Sequence, residues 1–267
     1  MFHERSIVTS VRFTNTENKA CRAELGRYPL SIDVKASLLC YWQKLEQKSD
    51  NPLLNEVFIY ARNHSQFYDL LNSDETMQVH YKNEVIKNQQ CVKSTRSSIK
   101  QQLQKKFSQD WFKAQNDISD SSRQKYTNKE IKKDYHLEEY LKIVRNPAHR
   151  IIMTKLRLGV HTLRIQTGKY QNKGASIPVE ERLCLVCKRN CAEDEKHFLI
   201  DCTEYESLRQ QLYFHISKND ATFINLTDHD RTLHLLRLDN DKTSHIIAKY
   251  AHLMFKKRKQ FLRQKSN

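Results

Sequence analysis

The chain has 267 residues, enough to bury a real core in one domain or two small ones. Four glycines, four prolines, 38% apolar and 29% charged residues read as a soluble, mainly α-helical protein and disfavour folds that depend on glycine turns. The net charge of +15 is unevenly spread: residues 140–179 and 242–267 lack Asp and Glu and carry +8 each, while the rest holds 30 basic and 31 acidic side chains.

In chain order, the first predicted helix follows Pro29 and a candidate N-cap at Ser31. Its apolar face is read as Val34, Leu38, Tyr41, Trp42 and Leu45. Asn51-Pro52 restarts the chain with proline at a first helical position, and Leu54, Val57, Phe58, Ala61 and Phe67 continue an apolar stripe. A third helix runs from about Ser97 through Ile99, Leu103, Phe107 and Trp111, each apolar residue four after the last. At helical spacing these aromatics read as core rather than as a stacking platform for bases. Residues 1–115 thus form a helical region, and the polar stretch 116–134, with Ser119, Asp120, Ser121 and Ser122, reads as a linker.

Residues 135–215 are read as a basic helix followed by a metal module. Asn146-Pro147 is an N-cap and helix start. Ala148, Ile152, Leu156 and Leu163 then share one side, with Arg150, Arg157, His161 and Arg164 nearly opposite; Gly159 is placed to break the helix. Arg150, Lys155, Arg157, Arg164 and Lys169 are candidate phosphate contacts. The final segment, 216–267, is read as a helical basic tail carried by Ile246, Ile247, Tyr250, Leu253, Met254 and Phe261. Its run Lys256, Lys257, Arg258 and Lys259 is a second candidate phosphate contact, and alternatively a nuclear localisation signal or a solvated helix end.

The strongest local signal is Cys184, Cys187, His197 and Cys202, spaced C-x2-C-x9-H-x4-C. Two thiolates on a tight turn, completed by a later imidazole and thiolate, give zinc a closed tetrahedral site with no position for a catalytic water. Cys191 is an alternative to His197, or a free thiol. Thr203-x-x-Glu206 reads as a capping box that puts Cys202 at the mouth of a helix faced by Tyr205, Leu208 and Leu212. Cys21, Cys40 and Cys91 are isolated and read as small buried hydrophobes.

Other chemistries find little support. There is no G-x-G-x-x-G or G-K-[ST] phosphate cradle, and no apolar run approaches the roughly 18 residues of a membrane span. The first residues do not resemble a signal peptide, and seven cysteines with one C-x-x-C fit an intracellular metal or thiol role, nuclear or cytoplasmic, better than a disulfide framework. Asp194, Glu195 and Asp201 match no two-metal nuclease arrangement. The expectation is a noncatalytic nucleic-acid-binding protein with a structural zinc. The alternative is a zinc-stabilised protein-interaction module or a remnant, with no nucleic-acid role.

Three blocks carry a family resemblance. They are Glu24-Leu-Gly-Arg-Tyr-Pro-Leu30 with Tyr41-Trp42; Tyr140-Leu-Lys-Ile-Val-Arg-Asn146 with Arg150, Leu156-Arg-Leu158, His161 and Gly168-Lys-Tyr170; and the cysteine–histidine module with Glu195, Phe198, Leu199, Tyr205 and Leu208-Arg209. In order and spacing they resemble the region that follows the polymerase domain in LINE-type (non-LTR) retrotransposon reverse transcriptases of animals. The resemblance implies a zinc-binding extension that contacts element RNA or target DNA, with Cys184, Cys187, His197 and Cys202 as ligands and a reverse transcriptase supplied in trans as a possible partner. The chain has no Asp-Asp dipeptide, so the polymerase's aspartate motif is missing, and no recognisable endonuclease follows Cys202.

Overall fold

A computed structural model describes residues 18–46, 51–64, 96–116, 130–168 and 177–266. Phe67, Cys91, Lys169, Lys173, the side chain of Leu45 and most of the stretch 116–134 lie outside the described residues. The helices, in chain order, are α1 (Asn18–Glu24), α2 (Leu30–Glu46), α3 (Pro52–His64), α4 (Arg96–Asn116), α5 (Tyr140–Ile143), α6 (Pro147–Arg157), α7 (Arg164–Thr167), α8 (Glu206–Ser217), α9 (Asp228–Arg237) and α10 (Asp241–Ser266). Among the described residues the only strand-like pairings are two isolated antiparallel bridges, Leu25 with Leu137 and Leu183 with Ala192. The chain divides into two compact units, Arg27–Asp117 and Met1–Gly26 with Ile118–Asn267.

The unit of residues 27–117 is built from α2, α3 and α4. Asn51 caps α3 by accepting from the Leu53 and Leu54 amides, with Pro52 in the first turn as its sequence suggests. Ile99 and Leu103 of α4 are buried against Ile32, Ala36, Leu39 and Trp42 of α2, with Phe58 of α3 closing the cluster. The buried face of α2 meets the one read from sequence at Trp42 but is otherwise displaced from it. Val34 and Tyr41 are exposed, because apolar residues run around most of the helix and the stripe containing Ala36 is the one that lets α4 approach closely.

In the second unit, α10 packs against α6 and α8, and its Ile247, Ala248, Ala251 and Met254 share one core with Met153 and Leu156 of α6 and Leu212 of α8. The segment read as a basic tail is thus a 26-residue helix seated in the core of this unit. Helix α9 was not singled out in the sequence. It begins at Thr227, whose hydroxyl accepts from the Asp230 amide, and ends at Leu238 in the left-handed region.

Helix α6 starts at Asn146, which accepts from the Ala148 and His149 amides. The break expected at Gly159 is present, with φ of 62° there, so His161 and Arg164 do not continue the face of α6. Gly26 also has positive φ, and a Cβ there would sit 2.3 Å from the Leu137 nitrogen, so the turn after α1 requires glycine. That turn carries Glu24 into the interior, where it meets Arg157 (2.5 Å) and accepts from the Tyr140 hydroxyl (2.8 Å).

Candidate metal centre

The backbone of residues 182–193 folds into a knuckle. The Cys184 amide donates to the Cys191 carbonyl and the Glu193 amide to the Arg182 carbonyl, 2.9 and 3.0 Å. Asn190 takes a positive φ of 35°, a conformation asparagine tolerates well. The Val186 amide points at Cys184 Sγ (3.5 Å), bending the turn so that Cys187 comes back towards Cys184. The Arg182 guanidinium fixes the knuckle's base by donating to the carbonyls of Ile165 and Ile177. His197 arrives on the next turn, which Asp194 caps by accepting from the His197 amide at 2.7 Å. Cys202 follows one short turn before α8.

One ligand atom from each of Cys184, Cys187, His197 and Cys202 lies within 4.8 Å of every other. A tetrahedral ion with bonds of about 2.3 Å separates its thiolates by about 3.8 Å, so the cluster has the dimensions of a four-coordinate site. Cys187, His197 and Cys202 are buried and Cys184 is half-buried. The donor set can hold a metal ion. Among the thiols, the Cys202 hydrogen bond, with further bonds from His197, holds Cys184 well below the usual thiol range against the cost of burial. Cys202 is driven up by that same bond and by burial. A divalent cation held here would take the place of the thiol protons and be bound by the thiolates.

The imidazole of His197 separates the two remaining sulfurs. Cys187 Sγ lies 3.4 Å from Nε2, while Cys191 Sγ lies 3.3 Å from Nδ1 and 4.0 Å from Nε2. Nε2 therefore faces the cluster, and Cys191 sits against the other ring nitrogen, the position from which a neighbour orients a metal-bound imidazole.

Glu193 braces the centre and buried Glu195 holds a histidine of the same unit, and neither role was read from the sequence. Glu193 lies 3.9 Å from Cys184 Sγ and accepts two hydrogen bonds of 2.7 Å from the buried guanidinium of Arg258 in α10. Arg258 stays charged because that partner outweighs the cost of burial. Glu195 accepts from His161 Nε2 at 2.8 Å, while His161 Nδ1 faces the Leu163 amide. The three acids weighed for a nuclease are thus dispersed: Asp194 caps a turn, Glu195 holds His161, and Asp201 lies 3.5 Å from Lys196.

The candidate phosphate contacts divide sharply. Arg150 is buried and donates to the Leu141 carbonyl. Arg157 is 1% exposed and bound by Glu24, Glu138 and the carbonyls of Leu236 and Arg237. Burial opposes its charge, but Glu24 and then Tyr140 and Glu138 outweigh that and hold it protonated. Arg258 is buried on Glu193, and Lys257 is half-buried, donating to the Glu204 carbonyl. The expected stripe of Arg150 and Arg157 is therefore corrected: Glu24 and Glu138 hold Arg157 inside, and Arg150 is buried on the Leu141 carbonyl. Lys155 and Arg164 are half-buried, and Lys256 and Lys259 are exposed. The capping box is also corrected, since Thr203 makes no side-chain cap and Glu206 binds Arg209 instead.

No protein-family model, curated protein or solved structure matches the chain. No helix among the described residues is long and apolar enough to cross a membrane.

Proposed function

We propose that the chain is a noncatalytic nucleic-acid-binding protein whose metal is a structural zinc, corresponding to the region after the polymerase domain of LINE-type reverse transcriptases. Three thiolates and one imidazole favour zinc over harder cations, and four protein ligands leave no open position for a reacting water. Residues Cys184, Cys187, His197 and Cys202 would hold the ion, and its contribution is to fix the fold. The observation that carries the reading is the Glu193–Arg258 pair. It ties the metal knuckle to α10, a helix without any carboxylate after Asp241, and leaves Lys256 and Lys259 directed to solvent. Clustered cations of this kind bind phosphodiester chains with little sequence preference.

A protein-interaction role is the second reading. It is favoured by Leu30, Val34 and Tyr41 on α2 and Leu53, Val57 and Tyr60 on α3, all at least half exposed. The linear signal Lys256–Lys259 is weakened, because Arg258 and Lys257 are engaged within the fold. Titration of the zinc-loaded chain with labelled RNA and DNA across a salt series tests the function. The expected result is log affinity falling linearly with log salt. Absence of binding to every nucleic acid at low salt would contradict it and leave the interaction reading.

A further inference from the structure

We infer that the solvent-facing side of α10 docks along the sugar-phosphate backbone of a double-stranded nucleic acid. This rests on the nucleic-acid reading above and names both the surface and the form of the ligand. Lys242, His245, Lys249, Lys256, Lys259 and Arg263 are exposed, with His252 half-exposed among them. At about 100° per residue these side chains fall within an arc of about 100°, so they form one stripe. The helix's other basic residues point away from that stripe and are engaged: Lys257 and Lys265 donate to the carbonyls of Glu204 and Leu185, and Arg258 binds Glu193. Thus α10 sorts its cations into side chains bonded to the rest of the fold and a separate stripe that faces solvent. The N-terminal turn of α6 borders the same stripe, since His149 lies 5.0 Å from His252, ring centre to ring centre. Burial first, and then His252 and Lys249, hold His149 below its ordinary pKa.

The stripe's shape selects its ligand. From Lys242 to Arg263 it runs about 32 Å along a straight helix, close to one turn of duplex at about 34 Å. Single strands are held by stacking bases on exposed aromatics. Here Tyr250 is buried and Phe255 and Phe261 are half-buried in the core, so the stripe offers no exposed Tyr, Phe or Trp for bases to stack on. A lipid surface would need apolar side chains to insert, and α10 exposes no large one.

The test measures binding of the full zinc-loaded chain to a duplex DNA, a duplex RNA and a single strand of equal length, and to vesicles rich in anionic lipid, by fluorescence anisotropy or co-sedimentation. The variant is Lys249→Glu/Lys256→Glu/Lys259→Glu, with the three glutamine substitutions as a milder form should the first not fold. We expect at least one duplex to bind tighter than the single strand. We also expect the variant to lose tenfold or more in affinity and about three units of salt slope, with melting temperature and metal content unchanged. A preference between DNA and RNA duplexes identifies the source of the backbone. Unchanged duplex affinity in both variants, a tenfold preference for single strand, or binding to vesicles alone would overturn the inference. The first two outcomes leave the nucleic-acid function standing; failure of the wild-type chain to bind any nucleic acid removes both.

Discussion

Removing the guanidinium of Arg157 leaves the carboxylates of Glu24 and Glu138 in the interior without their shared cation, although Lys132 still reaches Glu138. Breaking a buried ion network at one partner costs about 3–5 kcal/mol. Arg157→Met should lower the unfolding free energy by that amount in urea titrations, and adding Glu24→Gln should return part of it. A loss under about 1 kcal/mol would show that the network carries no weight. Substitutions at Arg150 or Arg157 therefore report on folding rather than on phosphate binding. The sequence concealed this because an arginine on a helix reads the same whether it faces water or an acid 133 positions away. The cluster was legible, in contrast, because all four of its members lie within one short stretch at a spacing that suits a single tetrahedral ion. The same locality did not separate His197 from Cys191. That needed the ring's orientation, with Nε2 turned to the cluster and Nδ1 to Cys191.

At the scale of elements, adjacent residues of α10 have opposite duties. Arg258→Met strips the buried Glu193 of its cation beside Cys184 and should cost several kcal/mol in urea unfolding. It should also weaken zinc affinity tenfold or more, as loss of an outer partner of a metal site does. Lys259→Met, one position along and exposed, should stay within about 0.5 kcal/mol of wild type with unaltered zinc affinity. Equal effects of the two would mean that α10 is not tied to the knuckle. Most helices were readable from their caps and apolar spacing, as at Asn51-Pro52 and Asn146-Pro147. The buried side of α2 was not, because its apolar residues offer two faces and only the packing of α4 against Ala36 chooses between them.

At the scale of the molecule, the two units rest on different supports. Residues 27–117 cohere through the apolar cluster around Ile32, Leu39, Trp42 and Ile99. The unit containing α10 adds buried ion pairs and a cysteine–histidine cluster that links knuckle, turn and helix. Segregation of basic charge was visible from composition alone, yet composition could not say which charges the interior would take. A single bound ion would draw together side chains from three turns. Native mass spectrometry of the purified chain and two variants tests this most directly. One zinc per chain is predicted in the wild type and in Cys191→Ser, and none in Cys202→Ser. A zinc-free wild type in metal-replete medium, or a Cys202→Ser chain that keeps its ion while Cys191→Ser loses it, would contradict the account.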